Sequence, residues 1–94
     1  MKSLNDFKKN LQICKSNGIT LKTSVLNSTG EVIRVNDFAP IGNIQSNSFA
    51  MIRNEKLSWV EFGKASQWNF TEGIKQNLIG GSMVFEFSPN QINP

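Results

Sequence analysis

The chain has 94 residues, of which 38% are hydrophobic and 18% are charged, and its formal net charge is +3. This composition excludes a disordered chain, and the length leaves room for one modest core, so we predict a single domain over residues 1–94. One cysteine, no histidine and no apolar run long enough to cross a bilayer argue against a disulfide, a zinc site and a membrane span. We therefore expect a cytoplasmic protein with no membrane partner.

The first predicted element is a helix over residues 4–16. Ser3 is placed to cap it, with Asp6 three residues later in a variant of the capping box. Gly18 suits the position just after a helix C-terminus. Four apolar side chains recur at steps of three and four and form one stripe: Leu4, Phe7, Leu11 and Cys14. We expect this stripe to pack against a sheet.

After the helix the hydrophobic pattern changes to a period of two, which predicts a β region over about residues 19–88. The alternating segments are hairpins at 19–36 and 43–62, a short strand at 67–70 and a final strand at 83–87. Residues 73–79 are ambiguous. The polar residues 89–94 are expected to form a frayed tail.

One helix followed by about five or six strands predicts an α+β fold. The N-terminal amphipathic helix would pack on a curled antiparallel sheet or on a small half-open SH3-like barrel. A flat sheet with the helix on one face is the alternative.

The sequence offers little that is typical of catalysis. Without histidine, the usual base for a serine or cysteine nucleophile is missing, and Cys14 lies in the apolar stripe, where a structural thiol is expected. The glutamates are scattered, with no spacing that indicates a metal site. We predict a protein that is not an enzyme and that carries no cofactor.

Binding is easier to argue from the charges and the aromatic residues. Residues 1–22 hold five lysines and one aspartate, a net charge of +4, and aromatic residues alternate with cations between residues 49 and 70. Such a surface can stack bases and neutralise phosphates, although the core of a small domain needs aromatics too and the lysines also serve solubility. The predicted nucleic-acid contacts are Lys8, Lys9, Lys15, Arg53, Lys56 and Lys64, with Trp59 and Trp68 as aromatic contacts.

A short signature gives the chain a family resemblance. Its parts are Gln45-Ser46-Asn47-Ser48-Phe49-Ala50, then Ser58-Trp59, then Lys64-Ala65-Ser66-Gln67-Trp68, preceded by the amphipathic segment at 4–9. With these, the chain resembles a group of small uncharacterised proteins carried by phages and mobile elements of Gram-positive bacteria. The group has proline before Lys-Ala-Ser, where this chain has Gly63. The resemblance implies an accessory protein and no particular activity.

The same residues allow other binding functions. The signature could also be structural, turning the chain so that Trp59 and Trp68 lie on neighbouring strands. The alternative function is a protein-binding modulator or inhibitor of a host enzyme or defence system, with a tryptophan or a sheet edge in its interface. A homodimer could use the same surface. A membrane-surface role for the basic helix is the weaker option, because the core needs its apolar stripe.

Overall fold

The computed structural model describes residues 1–89, which form one helix and eight strands. The helix is α1 (Leu4–Ser16), and the strands are β1 (Leu21–Asn27), β2 (Val32–Ala39), β3 (Ile41–Ile44), β4 (Ser48–Arg53), β5 (Lys56–Glu61), β6 (Trp68–Asn69), β7 (Ile74–Leu78) and β8 (Gly81–Phe87). A 3-10 turn, Ala65–Gln67, joins β5 to β6. Of the predicted tail, residues 90–94 lie outside the described residues.

Helix α1 has the predicted bounds because its capping interactions are local. The Ser3 side chain accepts a hydrogen bond from the Asp6 N–H at 3.2 Å. The Asp6 carboxylate in turn accepts one from the Lys2 N–H at 3.0 Å, and this bond is the main reason that the pKa of Asp6 lies below its ordinary value. After the helix, Gly18 adopts a φ of 71°, the left-handed conformation that glycine allows.

The strands form two antiparallel sheets. The larger sheet has the order β2-β1-β8-β7-β6 and the smaller one the order β3-β4-β5. Strands β1 and β8 pair without irregularity, from Leu21 opposite Phe87 to Asn27 opposite Gly81, and form the centre of the larger sheet. The predicted α+β fold class, with the helix on a curled antiparallel sheet, is confirmed.

Eight strands replace the five or six expected, for two local reasons. The predicted strand from residue 43 is divided into β3 and β4 by a bend at 46–47. Strand β7 occupies the segment whose sequence pattern was ambiguous. The pattern is ambiguous because the inward-facing position between Ile74 and Leu78 is taken by a polar residue, Gln76, which is only 3% exposed.

Phe7 lies at the centre of the core and connects the helix to both sheets. Its side chain is fully buried, as is that of Leu11 one turn later. Its ring centroid lies between 5.0 and 6.5 Å from those of six other aromatic residues: Phe49, Phe62, Trp68, Phe70, Phe85 and Phe87. The predicted apolar stripe of the helix therefore packs on the sheets as expected.

Candidate interaction surface

The core takes most of the aromatic residues that the sequence offers for binding. Buried or half-buried aromatic side chains are Phe7, Phe49, Phe62, Trp68, Phe70, Phe85 and Phe87. The exposed ones are Trp59 and Phe38, at 44% and 37%. The nucleic-acid hypothesis predicts a face on which several exposed aromatic side chains could stack on bases. Among the described residues, only these two separate aromatic side chains are exposed.

Trp68 is a core residue. It is 8% exposed, its indole N–H donates to the Phe62 carbonyl at 2.7 Å, and its ring stacks on those of Phe70 and Phe85. With its ring and its one donor occupied, Trp68 has little left to offer a base or a protein partner, which argues against its predicted contact role. The two tryptophans do not lie on neighbouring strands either, because β5 and β6 belong to different sheets.

Two of the cations predicted to contact phosphate instead make contacts with other residues of this chain. The Lys8 ammonium lies 4.7 Å from the Phe62 ring centroid and donates to the Ser46 carbonyl at 3.2 Å. The Arg53 guanidinium donates to the Asp37 carbonyl at 2.6 Å, and its burial lowers its pKa. Both cations therefore join separate parts of the fold.

The other four predicted cations are exposed. Lys9 and Lys15 lie on α1, Lys56 begins β5, and Lys64 precedes the 3-10 turn. Within residues 1–89 none of them forms an ion pair. These lysines sit on three different elements, and they remain the available part of the predicted nucleic-acid contact set.

Strand β2 forms one edge of the larger sheet, and this edge is protected. Its register with β1 contains two irregularities of the β-bulge type. The Phe38 N–H donates to the carboxylate of Asp37 at 2.8 Å, and the Asp37 carbonyl accepts from Arg53. Bulges and internally satisfied backbone groups are means by which proteins block strand addition at an edge.

Strand β5 forms an edge of the smaller sheet, and its register is regular. It pairs with β4 without interruption, and the N–H of Phe62, just after the strand, donates to the Asn47 carbonyl at 2.9 Å. Because inter-strand hydrogen bonds alternate in antiparallel pairs, this bond sets the direction of every backbone group in β5. The residues whose N–H and C=O point away from β4 are Leu57, Trp59 and Glu61.

The contacts of Gln76 agree with this assignment. Its side-chain amide donates to the Glu61 carbonyl at 3.0 Å and to the Phe62 carbonyl at 3.3 Å. In the part of the chain that the structure describes, the outward backbone groups of Leu57 and Trp59 have no partner. The open edge of β5 thus presents four unpaired backbone groups in regular spacing.

The outer face of the smaller sheet is apolar beside this edge. Ile52, Leu57 and Trp59 are 39%, 55% and 44% exposed. They share one face because Ile52 lies opposite Leu57 and Trp59 lies opposite Ala50. On the same face, Ala50 is fully buried and packs closely on Gly42, where an added Cβ would lie 3.3 Å from that of Ala50. We call Ile52, Leu57 and Trp59 the β5 platform.

A groove of about 370 Å³ runs between β5 and β7 on the other side of the edge. Its lining residues are Trp59, Val60, Glu61, Gly63, Gln67, Gln76, Leu78 and Met83. Here the buried amide of Gln76 connects the two sheets in place of a backbone ladder. The edge of β5 therefore lies between the apolar platform and a mixed polar and apolar groove, and Trp59 borders both.

The groups available for chemistry are few. Cys14 is buried, and burial raises its pKa, so the thiol stays protonated near neutral pH. Within residues 1–89, no cluster of three or more histidine, cysteine, aspartate or glutamate side chains is arranged to hold a metal ion. No helix in the described range is long and apolar enough to cross a membrane.

Of the residues around this edge, the sequence singled out Trp59 as an aromatic contact and did not single out Ile52, Leu57 or Gln76. The alternation of the two hairpin strands already puts Leu57 and Trp59 on one face. It does not show that this face is left uncovered, nor that β5 is an edge strand. Comparison of the chain with protein-family models, with curated proteins and with solved structures finds no match.

Proposed function

We propose that this chain is a non-catalytic protein-binding module whose contact surface is the β5 platform. The observation that carries the proposal is the grouping of three exposed apolar side chains on one face, beside a regular open edge. Apolar residues grouped in this way, in contrast to scattered ones, mark interaction sites. Tryptophan, here Trp59, is among the residues most enriched in the energetic centres of interfaces.

The chemistry of the surface favours a protein partner over a nucleic acid. Two of the three platform side chains, Ile52 and Leu57, are aliphatic and cannot stack on bases as aromatic rings do. The resemblance to phage and mobile-element proteins supports an accessory role, in which the partner is a host protein that is modulated or inhibited.

Site-specific photocrosslinking tests the proposed surface. A photoreactive phenylalanine analogue at position 57 should give a discrete crosslinked product in cells of the organism that encodes the chain. The same analogue at Ser66, which is exposed on the 3-10 turn outside the platform, should not give it. Identical products from both positions, or none from position 57, would contradict the proposal.

A pair of variants makes the test specific. Trp59→Ser should reduce the yield of the crosslink, and the affinity for the isolated partner, at least tenfold, because truncating an interface tryptophan typically costs about 2 kcal/mol or more. Ile33→Ser is the control, since Ile33 is an apolar residue on the protected β2 edge that is even more exposed than Trp59, at 62% against 44%. If both variants behave alike, general surface hydrophobicity explains the crosslink and the platform is not a specific site.

Nucleic-acid binding is a second candidate. It is favoured by the exposed Lys9 and Lys15 on one helix and by the net charge of +3. Fluorescence anisotropy with DNA and RNA, at about 50 and 200 mM salt, should then show binding that falls steeply with salt and is weakened in Lys9→Gln/Lys15→Gln. Absence of binding at the lower salt concentration would remove this candidate.

A further inference from the structure

We infer that the partner contributes an extended segment that adds to β5 as a fourth, antiparallel strand of the smaller sheet. This inference rests on the proposed protein-binding function and specifies its mode. The occupant is a strand of another protein, with apolar residues at alternate positions, a basic residue at its N-terminal end and an acidic residue at its C-terminal end.

Strand addition at β5 is inferred first from the difference between β2 and β5, two edge strands of this fold. On β2, bulges disrupt the register, Asp37 accepts the Phe38 N–H, and Arg53 occupies the Asp37 carbonyl. On β5 the register is regular, and the backbone groups of Leu57 and Trp59 point outward without a partner within residues 1–89. An unprotected regular edge is a template for another strand, so the fold blocks one edge and leaves the other able to pair.

The two flanks of the edge give the added strand its pattern. In a sheet, successive side chains point to opposite faces, so alternate residues of the segment would lie beside Leu57 and Trp59 on the apolar platform. The residues between them would point toward the groove, where Gln76 and Leu78 offer both polar and apolar contacts. A volume of about 370 Å³ is at the lower end of the size of ligand pockets.

The charged residues at the two ends of β5 indicate which charges the ends of the added segment should carry. Lys56 and Glu61 lie at opposite ends of β5, both exposed, and neither forms an ion pair with any residue in the described range. All strand pairs among residues 1–89 are antiparallel, and antiparallel pairing is slightly the more stable kind. The segment opposite β5 would then read basic, any, apolar, any, apolar, acidic, from the position facing Glu61 to the position facing Lys56.

Selection from a display library of random octapeptides tests the inference with the full chain as bait. Counter-selection uses Leu57→Pro, which removes an N–H from the open edge without removing a hydrogen bond to β4. Peptides that prefer the wild-type chain should share the alternating pattern with its charged ends. Enrichment without this pattern, or no enrichment over Leu57→Pro, would overturn strand addition.

Measured affinities of a selected peptide separate backbone pairing from side-chain contact. Leu57→Pro should weaken binding at least tenfold, whereas Leu57→Thr, which keeps the N–H, should weaken it less. Glu61→Lys should change the preferred first residue of the peptide from basic to acidic. Unchanged circular dichroism of each variant shows that its fold is intact, and equal affinity of the Pro and Thr variants would refute the role of the backbone edge.

The outcomes distinguish this inference from the function on which it rests. If Trp59→Ser abolishes the crosslink at position 57 while Leu57→Pro leaves partner binding unchanged, the platform binds protein but no strand is added. If neither variant has an effect, both proposals fail. The remaining possible occupant of the edge is a second copy of this chain, and sedimentation equilibrium tests it. A dimer that Leu57→Pro dissociates would show that a second copy fills the edge.

Discussion

Replacing Phe7 by alanine should destabilise this protein more than almost any other single change. The Phe7 side chain is fully buried, and the six aromatic rings around it come from the segments of both sheets. Losing its burial costs about 2–3 kcal/mol. A residual cavity of roughly 60–80 Å³ adds about 1.5–2 kcal/mol. We therefore expect a loss of about 4 kcal/mol, against about 5–15 kcal/mol of total stability for a typical domain.

Urea denaturation measures this loss. Trp68 is a suitable fluorescent probe because its ring centroid lies 5.0 Å from that of Phe7, and circular dichroism gives a second, independent signal for two-state unfolding. The matched control is Ile13→Ala, since Ile13 is on the same helix but 56% exposed, and its replacement should change stability by less than about 0.5 kcal/mol. A cost below about 1.5 kcal/mol for Phe7→Ala, or one equal to that of the control, would refute the helix as the central element of the core.

Substitutions at Gly63, Arg53 and Cys14 test three individual features of the structure. Gly63→Ala should lower the free energy of unfolding, measured by urea denaturation, by about 1–2 kcal/mol, because Gly63 has a φ of 60° and an added Cβ would meet the side chain of Gln67. Ser66→Ala is the control. Equal stabilities of the two variants would contradict the predicted strain at Gly63. Arg53→Gln should lower the free energy of unfolding by about 1–2 kcal/mol, because the hydrogen bond from the guanidinium to the Asp37 carbonyl is lost. It should leave the salt dependence of any nucleic-acid binding unchanged. A weaker dependence of that binding on salt would show instead that Arg53 contacts phosphate. Burial raises the pKa of Cys14 in the folded state, so the thiol of the unfolded chain ionises at lower pH. The free energy of unfolding should therefore fall as pH rises above the ordinary thiol range, and Cys14→Ala should lack this fall. An identical pH profile for the two proteins would refute the raised pKa of Cys14.

The helix shows how far local signals reach. Its capping by Ser3, its apolar stripe and the glycine at position 18 are all readable in a short stretch of sequence, and the helix spans the predicted residues. Period-two alternation likewise predicted most of the strands. Segment 73–79 could not be predicted because Gln76 faces inward, and its amide donates to the carbonyls of Glu61, in a strand of the other sheet, and of Phe62 just after that strand.

Gly63 is a residue that the sequence could show but not explain. Its φ of 60° lies in the left-handed region, which proline cannot adopt because its ring fixes φ near −65°. A Cβ at this position would also meet the side chain of Gln67. The turn that follows β5 therefore favours glycine, for a reason that only the folded backbone shows.

The candidate site depended on tertiary structure for a different reason. Trp59 and Trp68 both occur in strand-like segments with cations nearby, and nothing local distinguishes them. One is buried because β6 lies against β7 with Trp68 facing the core, and the other is exposed because β5 is an edge strand. In the same way, Lys8 and Arg53 resemble the exposed cations in sequence but make contacts with residues distant in the chain.

By itself, the sequence determined the fold class, the helix and the central strands, because capping and hydrophobic periodicity act between residues that are close in the chain. The tertiary structure alone decided which strand is a protected edge, which is an open one, and which aromatic residues the core takes. Those properties arise from the order in which strands pair, and strand order depends on contacts between distant residues that no local pattern encodes.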